Sequence, residues 1–167
     1  MPPERRLLTG VLIAGFNLQL AIVAVGPLID RIREDTGMSG AVAGLLQTVP
    51  FLCVGCVALF GPGLVTGLGG ERLVGYSLVL LFIGAAARPA MPTPALVLAA
   101  SVPLGVGSGA MSLALPAVVK THFSTRAGAA IGGYTAALSV GAALAALTAV
   151  PLANAFGAWR PALALDA

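Results

Sequence analysis

Long apolar runs alternate along this chain with short polar breaks, and the runs are the length of bilayer-spanning helices. Such a helix needs about 20 predominantly apolar residues, and charged residues mark where each run stops. The first run extends from Leu7 to Ile29 and ends at Asp30, followed by a polar loop over Asp30–Gly37. Ala41 to Phe60 forms the second, closing in the Gly/Pro-rich stretch from Gly61 to Gly70. Leu73 to Ala87 is a shorter third run between Glu71-Arg72 and Arg88. Met91-Pro92-Thr93-Pro94 reads as a tight turn, because two prolines cannot continue a helix. Ala95 to Val119 and Ala127 to Leu152 are the fourth and fifth runs, separated by a polar loop from Lys120 to Arg126. After a loop from Asn154 to Arg160, a sixth run starts at Pro161 and reaches Ala167. The first run exceeds the roughly 7–15 residues of a signal-peptide core, and no small-residue cleavage site follows it. It is read as an uncleaved span.

Composition points to the same solvent. Of 167 residues, 58% are hydrophobic and 9% charged, with a mean hydropathy of +1.00. A soluble domain carries about 25% charged residues, so these few charges cannot cover a water-facing surface. The pI of about 9.4 does not signal nucleic acid. The nine basic residues are scattered between apolar runs without a clustered face or interleaved aromatics. In the short loops they bias orientation. With the N-terminus inside, Arg5, Arg6, Arg72, Lys120 and Arg126 are cytoplasmic, and Arg31, Arg33, Arg88 and Arg160 are outside. Five against four favours a cytoplasmic N-terminus by a narrow margin.

Candidate chemistry is sparse. Cys53 and Cys56 form a C-x-x-C within PFLCVGCVALF, with no neighbouring charge to favour the thiolate. They read as two small packing residues. A zinc site wants four ligands, and the single histidine, His122, is distant. No acid pair lies within a span and no nucleophile has an adjacent base, so the chain is not read as an enzyme. No cofactor is expected. Asp30, Glu34 and Asp35 read as a solvated loop face. The G-x-x-x-G pairs Gly63/Gly67, Gly105/Gly109 and Gly128/Gly132 mark places where helices approach closely in lipid.

Polar residues at mid-depth carry what remains. Asn17 and Gln19 sit near the centre of the first span, and an amide there must meet another helix or a water-filled cavity. Two positions apart is about 200° around a helix, so one of them reads as a solute contact and the other as structural. Ser108 and Ser112 in the fourth span, and Thr135 and Ser139 in the fifth, are each one turn apart. Their hydroxyls read as helix–helix bonds or bonds to the preceding turn.

Four stretches together resemble the N-terminal half of the major facilitator superfamily, in its cyanate/nitroimidazole-type (CynX/NimT) branch. They are Asn17-Leu18-Gln19-Leu20-Ala21 with Val25-Gly26-Pro27-Leu28; Gly44-Leu45-Leu46-Gln47-Thr48-Val49-Pro50 with Cys53; Gly105-Val106-Gly107 with Pro116, Val119-Lys120 and Phe123; and Gly133-Tyr134-Thr135 with Val150-Pro151-Leu152 and Trp159-Arg160. The stretch Pro62 to Gly70 departs from the superfamily by lacking its Asp-Arg charges, and Gln19 stands where the branch has arginine. Arg88 matches an arginine of the branch.

The resemblance implies an all-α integral membrane fold: five transmembrane helices plus the start of a sixth, half of a major-facilitator fold. It implies a multi-pass protein of the cell (inner) membrane. Its function would be alternating-access transport of a small solute, with a proton as the candidate coupling ion. The chain is read as a truncated half that lacks its C-terminal partner half and is inactive alone. A non-transporting membrane scaffold or assembly partner is the alternative. The residues placed on the substrate pathway are Gln19, Asn17, Arg88, Ser112, Tyr134 and Thr135, with Gln19 rather than Asn17 toward the solute and Asn17 toward a neighbouring helix.

Overall fold

The computed structural model describes residues 3–123 and 127–165, all in helices or short connections, with no strand among the described residues. The loop residues 124–126 and the last two residues, counted in the sequence reading, lie outside the described residues. Among the described residues, five helical stretches are long and apolar enough to cross a membrane.

The first span is made of two helices, α1 (Pro3–Val23) and α2 (Val25–Thr36). The interruption has a local cause. Pro27 has no N–H to give the Val23 carbonyl, so one rung of the helical ladder is missing. Ala24 between them keeps helical dihedrals (φ −54°, ψ −28°) and donates to Leu20 O at 3.2 Å. The span is therefore broken in its hydrogen bonding rather than turned aside.

The segment from Asp30 onward, expected as a loop, is helix as far as Thr36. Leu28 and Ile32 are buried one turn apart, and Asp30 pairs with Arg33 at 3.5 Å on the outer face. The charges mark where the apolar run ends, not where the helix ends. Gly37, in the left-handed region at φ 65°, stops it.

α3 (Gly40–Phe60) is capped by Ser39, whose side chain accepts from Val42 N. The Gly/Pro stretch after it, expected as a loop, holds a short helix, α4 (Pro62–Leu68), with its proline at the first helical position. α5 (Gly70–Ala90) leads into the expected turn at Met91–Thr93, where Thr93 caps α6 (Pro94–His122) by accepting from Leu96 N. α7 (Ala127–Phe156) and α8 (Trp159–Leu165) complete the described chain, each extending past the limits that charge alone set.

α6 is the central helix. α3 and α5 pack along it, while α1 packs along α7 and α8 lies against α7 and α5. Leu104, Met111 and Ala114 on α6 are wholly buried, whereas Phe51, Leu59, Phe60, Phe82 and Leu147 on the flanking helices are exposed, as residues that meet lipid or another bundle are. Of the G-x-x-x-G pairs named above, Gly105/Gly109 lies at a helix contact. A Cβ on Gly105 would stand 2.7 Å from Pro50 Cα, and one on Gly109 2.8 Å from Val57 Cβ, so both let α6 close onto α3. Gly63/Gly67 and Gly128/Gly132 face open space. A glycine outside any such pair makes the tightest crossing between spans. A Cβ on Gly141 of α7 would meet Phe16 O of α1 at 2.3 Å.

Candidate functional site

The polar side chains within the bundle fall into three settings. In the first, hydroxyls bond back to their own helix. Ser77, Ser101, Ser108, Thr135 and Ser139 donate to the carbonyl four residues earlier at 2.7–3.1 Å. This satisfies the groups within their own turn. Thr135 lies on an exposed face of α7.

The second setting is the rim that carries Trp159. Asp35 accepts from Trp159 Nε1 at 2.9 Å and faces Arg160 Nη2 at 3.8 Å. Arg160 Nη1 reaches the carbonyls of Pro89 and Met91 at 3.3 Å, and its guanidinium stacks 4.9 Å from the Trp159 ring. Arg31 pairs with Asn154. These contacts tie α2, α5, α7 and α8 together around an open pocket of about 570 Å³. Of the three acidic residues expected as a solvated loop face, Asp35 is a bonded part of this clasp, while Asp30 and Glu34 are exposed. Arg88, close to this rim, is buried at 3% exposure and donates from Nε to Ser101 Oγ at 3.0 Å. At the opposite rim His122 Nε2 lies 3.3 Å from Glu71 Oε1.

The third setting is one side of the first span. Gly15, Gln19, Val23 and Gly26 follow the i, i+4, i+8, i+11 spacing that keeps residues on one side of a helix. At Gly15 the neighbour is Tyr134 of α7, whose ring carbons would stand 2.7 and 2.8 Å from a Cβ. Tyr134 is buried, with Ser112 of α6 as a polar neighbour of its hydroxyl; Ser112 itself donates to Ser108 O at 2.9 Å. At Gly26 the neighbour is Gln47 of α3, whose Nε2 and Oε1 lie 3.6 and 3.8 Å from the Cβ position. Gln19, half-buried, falls between those two levels.

The structure thus brings Ser112 and Tyr134 together and sets Gln19 on the same side of the first span. It leaves the other residues of the sequence reading elsewhere. Arg88 binds Ser101, which is eleven residues, about 16 Å of helix, from Ser112. Asn17 does not turn toward a neighbouring helix of this chain, as was expected; it is exposed, and its Nδ2 donates to Ile13 O at 3.0 Å. The missed residue is Gln47, whose Oε1 is buried with no hydrogen-bond partner among the described residues. Its signal was an amide inside the apolar run Gly44–Pro50, the same signal that marked Gln19.

Comparison with known proteins joins this geometry to a family. The family model described as Major Facilitator Superfamily matches residues 7–167. The chain is 36% identical over 160 residues to the uncharacterized transporter YycB of Bacillus subtilis, covering 95% of the chain and 40% of that relative. It is 34% identical over 158 residues to the cyanate transport protein CynX of Escherichia coli, covering 95% and 41%. It is 30% identical over 158 residues to the 2-nitroimidazole transporter of Escherichia coli, covering 94% and 40%. The chain spans about two fifths of the length of these relatives.

Proposed function

Since the chain belongs to the major facilitator superfamily, we propose that it forms one helical bundle of a secondary transporter that moves a small solute across the cell membrane by alternating access. The observation that carries this reading is that one side of the first span meets Tyr134 at Gly15 and Gln47 at Gly26, with half-buried Gln19 at a level between them. A site in such a transporter lies near the bilayer midplane between two bundles that rock against each other. One bundle supplies one wall, so transport requires a second bundle against the exposed faces. The N-terminus is placed in the cytoplasm of a cell with this protein in its inner membrane, and the coupling ion proposed is a proton. The five full-length apolar runs, from Leu7 to Leu152, hold no carboxylate, and Asp166 is the carboxylate of the sixth.

The solute proposed is small and neutral or zwitterionic. An amide offers a donor and an acceptor without charge, and Gln19 and Gln47 are both amides. The buried cation, Arg88, is engaged with Ser101 near one rim. Of the solutes named for the relatives, 2-nitroimidazole is neutral and cyanate is an anion, and this wall suits the former. Uptake of both labelled compounds by cells with and without the gene tests the proposal. Gene-dependent uptake that favours 2-nitroimidazole, shifted toward cyanate by Gln19→Arg at equal protein level, is expected. Uptake that ignores the gene would refute it.

A further inference from the structure

Packing alone does not account for the carbonyl oxygen of Gln47. A buried amide oxygen that accepts no hydrogen bond has given up its hydration for nothing, yet Gln47 Oε1 is buried and has no partner among the described residues. Its surroundings explain why the fold supplies no donor. The facing residue is Gly26, which has no side chain. Pro27, next to it, has no N–H. Thr48, beside Gln47 in sequence, donates its hydroxyl to Gly44 O at 2.9 Å. The orphan acceptor therefore stands against the one place in the first span where the helical ladder is interrupted.

We propose that Gln47 is a hydrogen-bonding contact for the carried solute. Its Oε1 accepts from an N–H or O–H of a small neutral molecule, and so selects solutes that carry such a donor. The inference rests on the transport reading above and assigns a further residue to it. The amide comes to the solute by turning about its terminal torsion, which is broad and roughly two-fold. Gly26, without a Cβ, leaves room for that turn. Gln19 lies seven residues before Gly26 on the same side, about 10 Å along the axis. Two glutamine side chains reaching toward each other across that interval leave space for one small ring.

The test uses cells expressing the protein from its own locus, with 2-nitroimidazole and its N1-methyl derivative as probes. The two rings have the same nitro group and nearly the same shape, but the methylated one has no N–H. Wild-type uptake should favour the N–H ring about tenfold, the worth of one hydrogen bond that a buried acceptor would otherwise miss. Gln47→Met, matched in length but unable to accept strongly, should bring that ratio close to one. Gln47→Glu keeps an acceptor and should preserve the preference. Protein level is measured for each variant, and the ratio of the two probes is independent of it. A ratio unchanged in Gln47→Met overturns the inference while leaving transport standing. Gene-dependent uptake of neither ring overturns the transport reading and the inference with it.

Discussion

Gly15→Ala is the sharpest test of how the first span meets the rest of the bundle. The added Cβ would stand 2.7 and 2.8 Å from two carbons of the Tyr134 ring, where ordinary carbon contacts lie at about 3.5–4.0 Å. The ring must retreat by most of an ångström. It is buried, so that retreat has to be absorbed by its neighbours. Overpacking of this kind costs about 1–3 kcal/mol. Replacing glycine by alanine inside a helix returns up to about 1 kcal/mol. The net loss is about 1–2 kcal/mol, or about 2–8 °C in Tm for a chain of this size. Unfolding of detergent-purified protein, followed by the fluorescence of the soluble monomer peak at a fixed heating rate, reads it. A cycle with Tyr134→Phe separates ring from hydroxyl. Gly15→Ala should cost less in the Tyr134→Phe background, where the ring is free to move. An unchanged Tm in Gly15→Ala would refute the proposed contact, whose ring carbons the Tyr134→Phe variant retains. Gly132→Ala, with nothing within 4 Å of its Cβ position, is the control and should leave Tm unchanged or slightly raised.

Topology is open to labelling in intact cells. In a background lacking Cys53 and Cys56, cysteines at Glu34 and Pro92 should react with an impermeant thiol reagent and a cysteine at Lys120 should not; the opposite pattern would invert the orientation. Vesicles that contain this chain as their only protein should take up no solute, and measurable uptake there would show that one bundle suffices. Asn17→Ala removes an exposed bond to Ile13 O and should leave the solute ratio intact with at most a modest fall in protein level, whereas lost uptake at normal level would move the solute contact from Gln19 to Asn17.

The spans were legible because the bilayer imposes a coarse rule: charge stops an apolar run. That rule says where the hydrocarbon ends, and the helices obey a different one. Asp30 to Thr36 stays helical because Leu28 and Ile32 keep one face buried while Asp30 and Arg33 pair on the other. α4 escaped notice because glycine and proline read as loop, although proline at a first helical position starts a helix as readily as it ends one. G-x-x-x-G spacing marks a surface fit for close approach but not its partner, and only Gly105/Gly109 found one among the described helices. Among polar residues, Gln19 stood out by its position near the centre of a span and by the resemblance. Gln47 carried the first of these signals, an amide inside an apolar run, but nothing in sequence tells a buried orphan from an amide bonded to its own turn. Arg88 lay next to a turn and read as a candidate for either the interface or the pathway. Its bond to Ser101 depends on α5 and α6 lying side by side, a fact that only the fold holds.

The two rims of this bundle are fastened unequally. At the rim that carries Trp159, Arg31 clamps Asn154, Asp35 holds both Trp159 and Arg160, and Arg160 grips the carbonyls that end α5. Four helices are stapled there by directional bonds. At the other rim the cross-helix charge contact among the described residues is Glu71 with His122. Mechanically this is a fan held near its rivet. A force that spreads the helices turns them about the clasped rim and opens them at the free one, where a small angle becomes the larger displacement. Backbone amides should exchange with solvent in that order, with α5 and α6 opening from Glu71 and His122 long before Pro89 and Met91 let go.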